Sequence, residues 1–291
     1  MGGTGRAVST TGQAVEVGAE EIGAEVRASP ERGPRALTGF LRAHSHRMLS
    51  VASIIVVLGA WQACATTGVV NPTLTSSPWG LVLAGQSLVN QGVLLGDVGA
   101  SAVLFAVGLG IAVGVGTIAG VALGWWRLLA AVLEPWVAIL YSMPLIAVLP
   151  LILLWFGITF RAEVIMVVII AVFPIIVTVM AATRNVDVEL IRMARSFRAK
   201  PLFIMRTIVM PSLISYLVAS VRLAIGYSLI GVVIAEYFLG NKGIGGLIVT
   251  AGEQLESGEV LVGIAILAVA SLIMQSLLRY AERKVLHWRD G

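Results

Sequence analysis

Residues 184–211 read RNVDVELIRMARSFRAKPLFIMRTIVMP. The stretch has helix-forming character and lies between two long apolar segments. It carries Arg184, Arg192, Arg195, Arg198, Lys200 and Arg206. A chain that crosses a bilayer keeps such a segment in water, and an excess of Lys and Arg places it on the cytoplasmic side. A charged helix between two spans also reads as a handle for a soluble partner.

The rest of the chain supports a bilayer as solvent. The 291 residues are 58% hydrophobic and 12% charged, with a mean hydropathy of +0.94. Soluble domains carry about 25% charged residues. The net charge of +4 does not point to nucleic acid, because the cations flank apolar segments instead of sharing one basic face.

Spans follow from apolar runs of about 20 residues. They are expected at 48–68, 99–124, 132–156, 163–183, 212–239 and 259–280. The fold class is an all-α integral membrane protein with six transmembrane helices. All but three of the 20 Lys and Arg fall before span 1, in the 2–3 turn, in the 4–5 loop or in the tail. The exceptions are Arg161, Lys242 and Arg222. This bias predicts a multi-pass protein with both termini in the cytoplasm and the loop after span 1 outside. The resulting organisation is a disordered cytoplasmic tail over 1–46, a first transmembrane helix over 47–68 and an outer loop over 69–98. A core over 99–281 contains the cytoplasmic helix near 185–200, and a cytoplasmic tail covers 282–291. No signal peptide is expected, since the first apolar run starts only near Met48 and no cleavage pattern follows.

Little in the chain suggests catalysis. Cys64 is the only cysteine and reads as a small apolar filler. His44, His46 and His287 have no partner set, so no metal site and no catalytic residue is expected. Asn241-Lys242-Gly243-Ile244-Gly245-Gly246 reads as a tight turn in an outer loop over 237–258. It lacks the strand–turn–helix context of a phosphate loop.

Two spans are unusual. Span 2 has Gly at 108, 110, 114, 116, 120 and 124, and small faces let helices approach closely in lipid. They serve either packing within the chain or a subunit contact. Span 3 contains Pro135, Pro144 and Pro150, each of which can kink a helix. A helix with freed carbonyls belongs against protein or water, so span 3 either lines a pathway or is a packed kink. Glu134, before Pro135, reads as a cap in the first turn. Arg222 and Glu236 both lie in span 5, about 21 Å apart along a helix. Intramembrane charges are functional candidates by default. The plain alternatives are snorkelling or a structural ion pair for Arg222 and an interfacial charge for Glu236.

The charged stretch resembles the cytoplasmic "EAA" loop of permease subunits of bacterial ATP-binding-cassette importers. That pattern runs Glu-Ala-Ala, three residues, Gly, nine residues, Ile-x-Leu-Pro. Here it falls on Arg192-Met193-Ala194, Arg198 and Ile208-Val209-Met210-Pro211. Ala194, Ile208 and Pro211 match, Met210 replaces Leu, and Arg192 and Arg198 depart from the pattern. Other stretches resemble the nitrate, sulfonate and taurine group of that family. They are Met143–Leu151 with Trp155-Phe156-Gly157, Ala194-Arg195-Ser196, Val221–Ala224, Ala235-Glu236, the turn at 243–246, and Pro72 with Ser77-Pro78. The resemblance covers about residues 70–255.

The resemblance implies a type I ABC importer permease in the bacterial inner membrane, most simply a homodimer. Cytoplasmic ATP-binding subunits would dock on Asp187, Glu189, Arg192, Met193, Ala194, Arg195, Ser196, Phe197, Arg198 and Ala199. An extracytoplasmic solute-binding protein would deliver the solute, which in such relatives is a small anion, an aromatic acid or a vitamin precursor. ATP and Mg would belong to the partner ATPase, and this chain would hold no cofactor and hydrolyse nothing. Ser142, Met143, Pro144, Trp155, Arg222, Tyr227, Ser228 and Glu236 are candidates for the translocation pathway. The main alternative is a stand-alone secondary transporter or channel, which needs its own coupling-ion site. A membrane scaffold or sensor is a third reading.

Overall fold

A computed structural model describes residues 35–68, 75–240 and 242–286. Residues 1–34 of the expected tail, Pro72, Asn241 and the end of the C-terminal tail lie outside the described residues. The chain divides into two units between Leu58 and Gly59. In the first, the described residues are the opening part of helix α1 (Arg35–Thr66). This helix starts before the expected boundary at residue 47, and no proline interrupts it after Pro34. The core and the sites described below belong to the second unit.

Among the described residues all regular structure is helical: α2 (Pro78–Asn90), α3 (Val93–Trp125), α4 (Arg127–Ser142), α5 (Leu149–Phe156), α6 (Phe160–Arg184) and α7 (Val188–Ser196) come first. They are followed by α8 (Pro201–Leu239), α9 (Ile244–Glu253) and α10 (Ser257–Leu286). Four helices, α3, α6, α8 and α10, are long and apolar enough to cross a membrane. Arg127–Ser142 and Leu145–Phe156 make a fifth span if counted together. The apolar stretch Val51–Thr66 of α1 is shorter than these.

Helix α6 is the centre, packed between α3 and α8. It is apolar on all sides and its wall residues Met166, Val167, Ile175 and Val179 are fully buried. The α3 face against it is a row at four-residue spacing, Gly108, Ala112, Gly116, Gly120 and Gly124. A Cβ at Gly116 would lie 2.8 Å from Ile175 Cβ, and one at Gly120 would lie 2.7 Å from Val179 Cβ. The row is therefore internal packing, and side-chain bulk there would push α3 off α6. Gly110 and Gly114 meet nothing within 4 Å and lie on the outer side of α3. Gly231 of α8 likewise brings its own backbone to Val167, which Gly108 also meets.

Span 3 corrects the expectation of one kinked helix over 132–156. Helix α4 and the Leu145–Phe156 segment meet at 96°. Pro144 forces the residue before it into extended backbone, and Met143 sits at φ −76, ψ 141. A single 3₁₀ turn (Leu145–Val148) follows. Pro150 then lies in the first turn of α5, where a missing N–H costs nothing. Of the three prolines only Pro135 lies inside a helix. Because α4 begins at Arg127, Glu134 is about two turns in, so it is not a first-turn cap.

The outer loop over 237–258 is a second correction. Gly243 turns the chain at φ 103 and α9 begins at once. This apolar helix packs on α8 and α10. The region 69–98 likewise contains α2, capped by the Ser77 hydroxyl, which accepts from the Gly80 N–H. In α8 a π-helical turn covers Met205–Val209. It lies one turn before Pro211, which cannot donate the N–H that α-helical bonding to Thr207 needs.

Candidate functional site

Helix α7 joins α6 to α8 and is built largely from local interactions. Its first turn is capped by Asp187, whose carboxylate accepts from the Glu189 N–H at 2.8 Å. Glu189 pairs with Arg192 one turn on at 3.0 Å; both are well exposed, so the pair adds little stability. The Ser196 hydroxyl donates to the Arg192 carbonyl. Ile191, Ala194 and Ala199 are half-buried against the core formed by α3, α6 and α8. Beside them Leu190, Met193 and Phe197 are exposed, Phe197 at 81%. Those three sit at i, i+3 and i+7, the spacing of an amphipathic helix that inserts into a groove.

The helix ends in a pair of backbone bonds. Ala199 N–H donates to the Ala194 carbonyl and Arg198 N–H to the Arg195 carbonyl. This is the six-to-one and five-to-two pairing that closes many helices, and its C′ residue adopts left-handed backbone, usually glycine. Here that residue is Arg198, at φ 55. The position where the EAA pattern places Gly thus keeps a glycine-like geometry with an arginine side chain. Lys200 and Pro201 then start α8.

The pathway candidates do not form one cluster. Ser142 and Pro144 are exposed at the break after α4, Met143 is half-buried, and Trp155 is exposed on α5. Tyr227 of α8 faces Tyr141, the neighbour of Ser142. Ser228 is wholly buried, and its hydroxyl has no hydrogen-bond partner in this structure. Arg222 pairs with Glu282 of α10, the structural alternative named for it above. Glu134 holds Arg184 of α6 in a two-bond pair, at 3.1 and 2.7 Å. This pair ties α4 to α6 beside the root of α7.

Glu236 is no interfacial charge. It is 1% exposed, and both carboxylate oxygens are engaged. Oε1 accepts from the Ser101 hydroxyl at 2.7 Å and Oε2 from the Gly245 N–H at 2.7 Å. Ser101 in turn accepts from the Ile244 N–H, and Asp97 accepts from the Gly243 N–H. Two carboxylates and a hydroxyl from α3 and α8 thus hold the N-terminus of α9. A side chain at Gly243 would run into the Glu236 carboxyl. Asp97 and Ser101 were not picked out from the sequence. Their four-residue spacing puts them on one face of α3, but nothing local names a partner about 140 residues away. The outward apolar face of α7 was only half seen: Met193 and Phe197 were picked for docking, and Leu190, at the right spacing, was not.

A family model described as "Binding-protein-dependent transport system inner membrane component" matches residues 112–287. The chain is 29% identical over 236 residues to a Bacillus subtilis protein named as an aliphatic sulfonates transport permease, covering 81% of this chain and 86% of that one. It is 30% identical to the Escherichia coli protein of the corresponding name, over 81% of this chain and 89% of that one. It is 26% identical to the Escherichia coli taurine transport system permease protein, over 82% and 89% of the two chains. An exposed charged helix between two packed spans, and a match that runs through both, lead to one conclusion. The chain belongs to the family of binding-protein-dependent transport system inner membrane components, the permease subunits of ABC importers.

Proposed function

We propose that two copies of this permease form the translocation pathway of an importer for a small organic sulfonate anion, powered by cytoplasmic ATPase subunits gripping α7. The observation that carries this reading is the outward face of α7. Leu190, Met193 and Phe197 are exposed on a helix that caps itself and rests only Ile191 and Ala194 against the core. A partner that grips these side chains moves α7 and, through the Arg184–Glu134 pair, the root of the broken span. Coupling follows if the ATPase holds α7 more tightly in one of the two pathway states. ATP and Mg act on that partner, and a solute-binding protein supplies the anion from the other side. The Lys and Arg count supports a cytoplasmic position for α7 and for both termini. The named substrates of the relatives support the sulfonate class. Tyr141, Tyr227 and the Met143–Pro144 break are the pathway elements we favour.

The test is uptake of labelled taurine and a short alkanesulfonate by cells expressing the permease with its ATPase and binding protein. Uptake should require ATP, and Phe197→Asp should reduce it and ATPase co-purification at least tenfold while the permease stays folded. Uptake that continues after ATP depletion would instead favour a secondary transporter.

A further inference from the structure

Beside the root of α7 the structure holds a cavity of about 810 Å³. Its walls come from the end of α3, the start of α4, the end of α6 and α7. Three guanidinium side chains line it, Arg127, Arg184 and Arg195, against one carboxylate, Glu134. Glu134 is spent on Arg184, which it binds through both oxygens. Among the described residues Arg127 and Arg195 have no carboxylate partner. The cavity therefore carries two uncompensated positive charges.

Its surroundings are those of a membrane boundary. Trp125 and Trp126 line it at the junction of α3 and α4, and Trp126 is 58% exposed. Tryptophan is the residue of the headgroup layer, with an apolar ring and a polar N–H. Leu128, the next residue but one, is 81% exposed. A charged recess thus opens beside an apolar flank, at the end of the spans where the chain's cations gather. Basic pockets between transmembrane helices on the cytoplasmic side suit anionic lipid headgroups.

We infer that this cavity binds the headgroup of an anionic phospholipid of the inner leaflet. Arg127 and Arg195 meet the phosphate, Trp126 sits at the glycerol level, and the acyl chains run along Leu128. A lipid here touches α4, α6 and α7 together, so it stabilises the arrangement in which α7 is presented to its partner. The inference rests on the cytoplasmic placement of α7 proposed above. It does not need the ATPase.

The experiment uses the full-length permease alone in neutral detergent. Its melting midpoint is measured with added phosphatidylglycerol, with phosphatidylcholine and with inorganic phosphate, and lipid retention is followed by native mass spectrometry. Phosphatidylglycerol should raise the midpoint by about 3 °C or more and remain bound, whereas phosphatidylcholine should do neither. The increment should vanish in Arg127→Gln/Arg195→Gln and halve in Arg127→Gln alone, which keeps all of α7 intact. An equal increment in the double variant overturns the site. An equal increment from inorganic phosphate overturns the lipid assignment in favour of a free anion. Because no ATPase is present, failure here leaves the docking role of α7 standing, and loss of docking in Phe197→Asp leaves this site standing.

Discussion

Helices α7 and α9 are nearly the same length, nine and ten residues, and end in the same way. Each closes with paired six-to-one and five-to-two backbone bonds around a non-glycine residue in left-handed backbone, Arg198 in one and Leu255 in the other. They differ in what holds their beginnings. Helix α7 is capped by its own Asp187 and buries none of its nine residues. Helix α9 takes its cap from Glu236 and Asp97 on two separate spans, and Ile244, Gly245, Gly246, Leu247 and Ala251 are buried. A helix that caps itself can shift as a unit without breaking bonds elsewhere. A helix capped by its neighbours moves only when they do. The contrast suits a movable handle at one end and a fixed brace at the other.

Three substitutions probe that contrast. Glu236→Ala should have the largest effect, because it strands the Ser101 hydroxyl and the Gly245 N–H inside the protein. Buried groups left unpaired cost about 1–3 kcal/mol each, so the loss should be on the order of 3 kcal/mol. It should appear as a much lower melting midpoint of the purified permease. A near-normal midpoint would mean that α9 is held by packing alone. Gly243→Ala comes next, since it adds left-handed strain and a clash with the Glu236 carboxyl, about 2 kcal/mol together. Proteolysis near residue 243 should become faster, with α7 unaffected. Arg198→Gly is the smallest and has the opposite sign. It relieves left-handed strain and should raise stability by up to about 1 kcal/mol. ATPase affinity in that variant separates two roles for the arginine: unchanged binding makes Arg198 a tolerated substitution in a turn, and weakened binding makes it a contact.

Much of this was legible without coordinates. The apolar runs around residues 99–124, 163–183, 212–239 and 259–280 coincide with α3, α6, α8 and α10, because a bilayer demands length and apolarity before anything else. The charged stretch gave the helix near 185–200, whereas its closing turn, with an arginine where the pattern has Gly, came only from the structure. Proline positions were visible, but their consequences were not. Pro135 is accommodated within α4, Pro144 breaks the chain and Pro150 starts α5. The three differ in where the helices around them begin and end, and that is a property of the packed structure. Glu134 was misread for a related reason: α4 starts earlier than hydropathy suggested, because Arg127 and its neighbours are helical despite the charge.

The sequence by itself determined that the chain spans a membrane, that a charged segment separates two of its apolar runs and that α3 is rich in glycine. These properties are one-dimensional, carried by runs and periods that any nearby solvent reads in the same way. Only the tertiary structure decided that the glycine row closes on α6, that Arg222 belongs to Glu282 and that Glu236 is a buried clasp for α9. Each of those depends on which residue of a distant helix arrives opposite. A carboxylate is a pathway charge or a structural cap according to the N–H groups it meets, and those groups come together only in the folded protein.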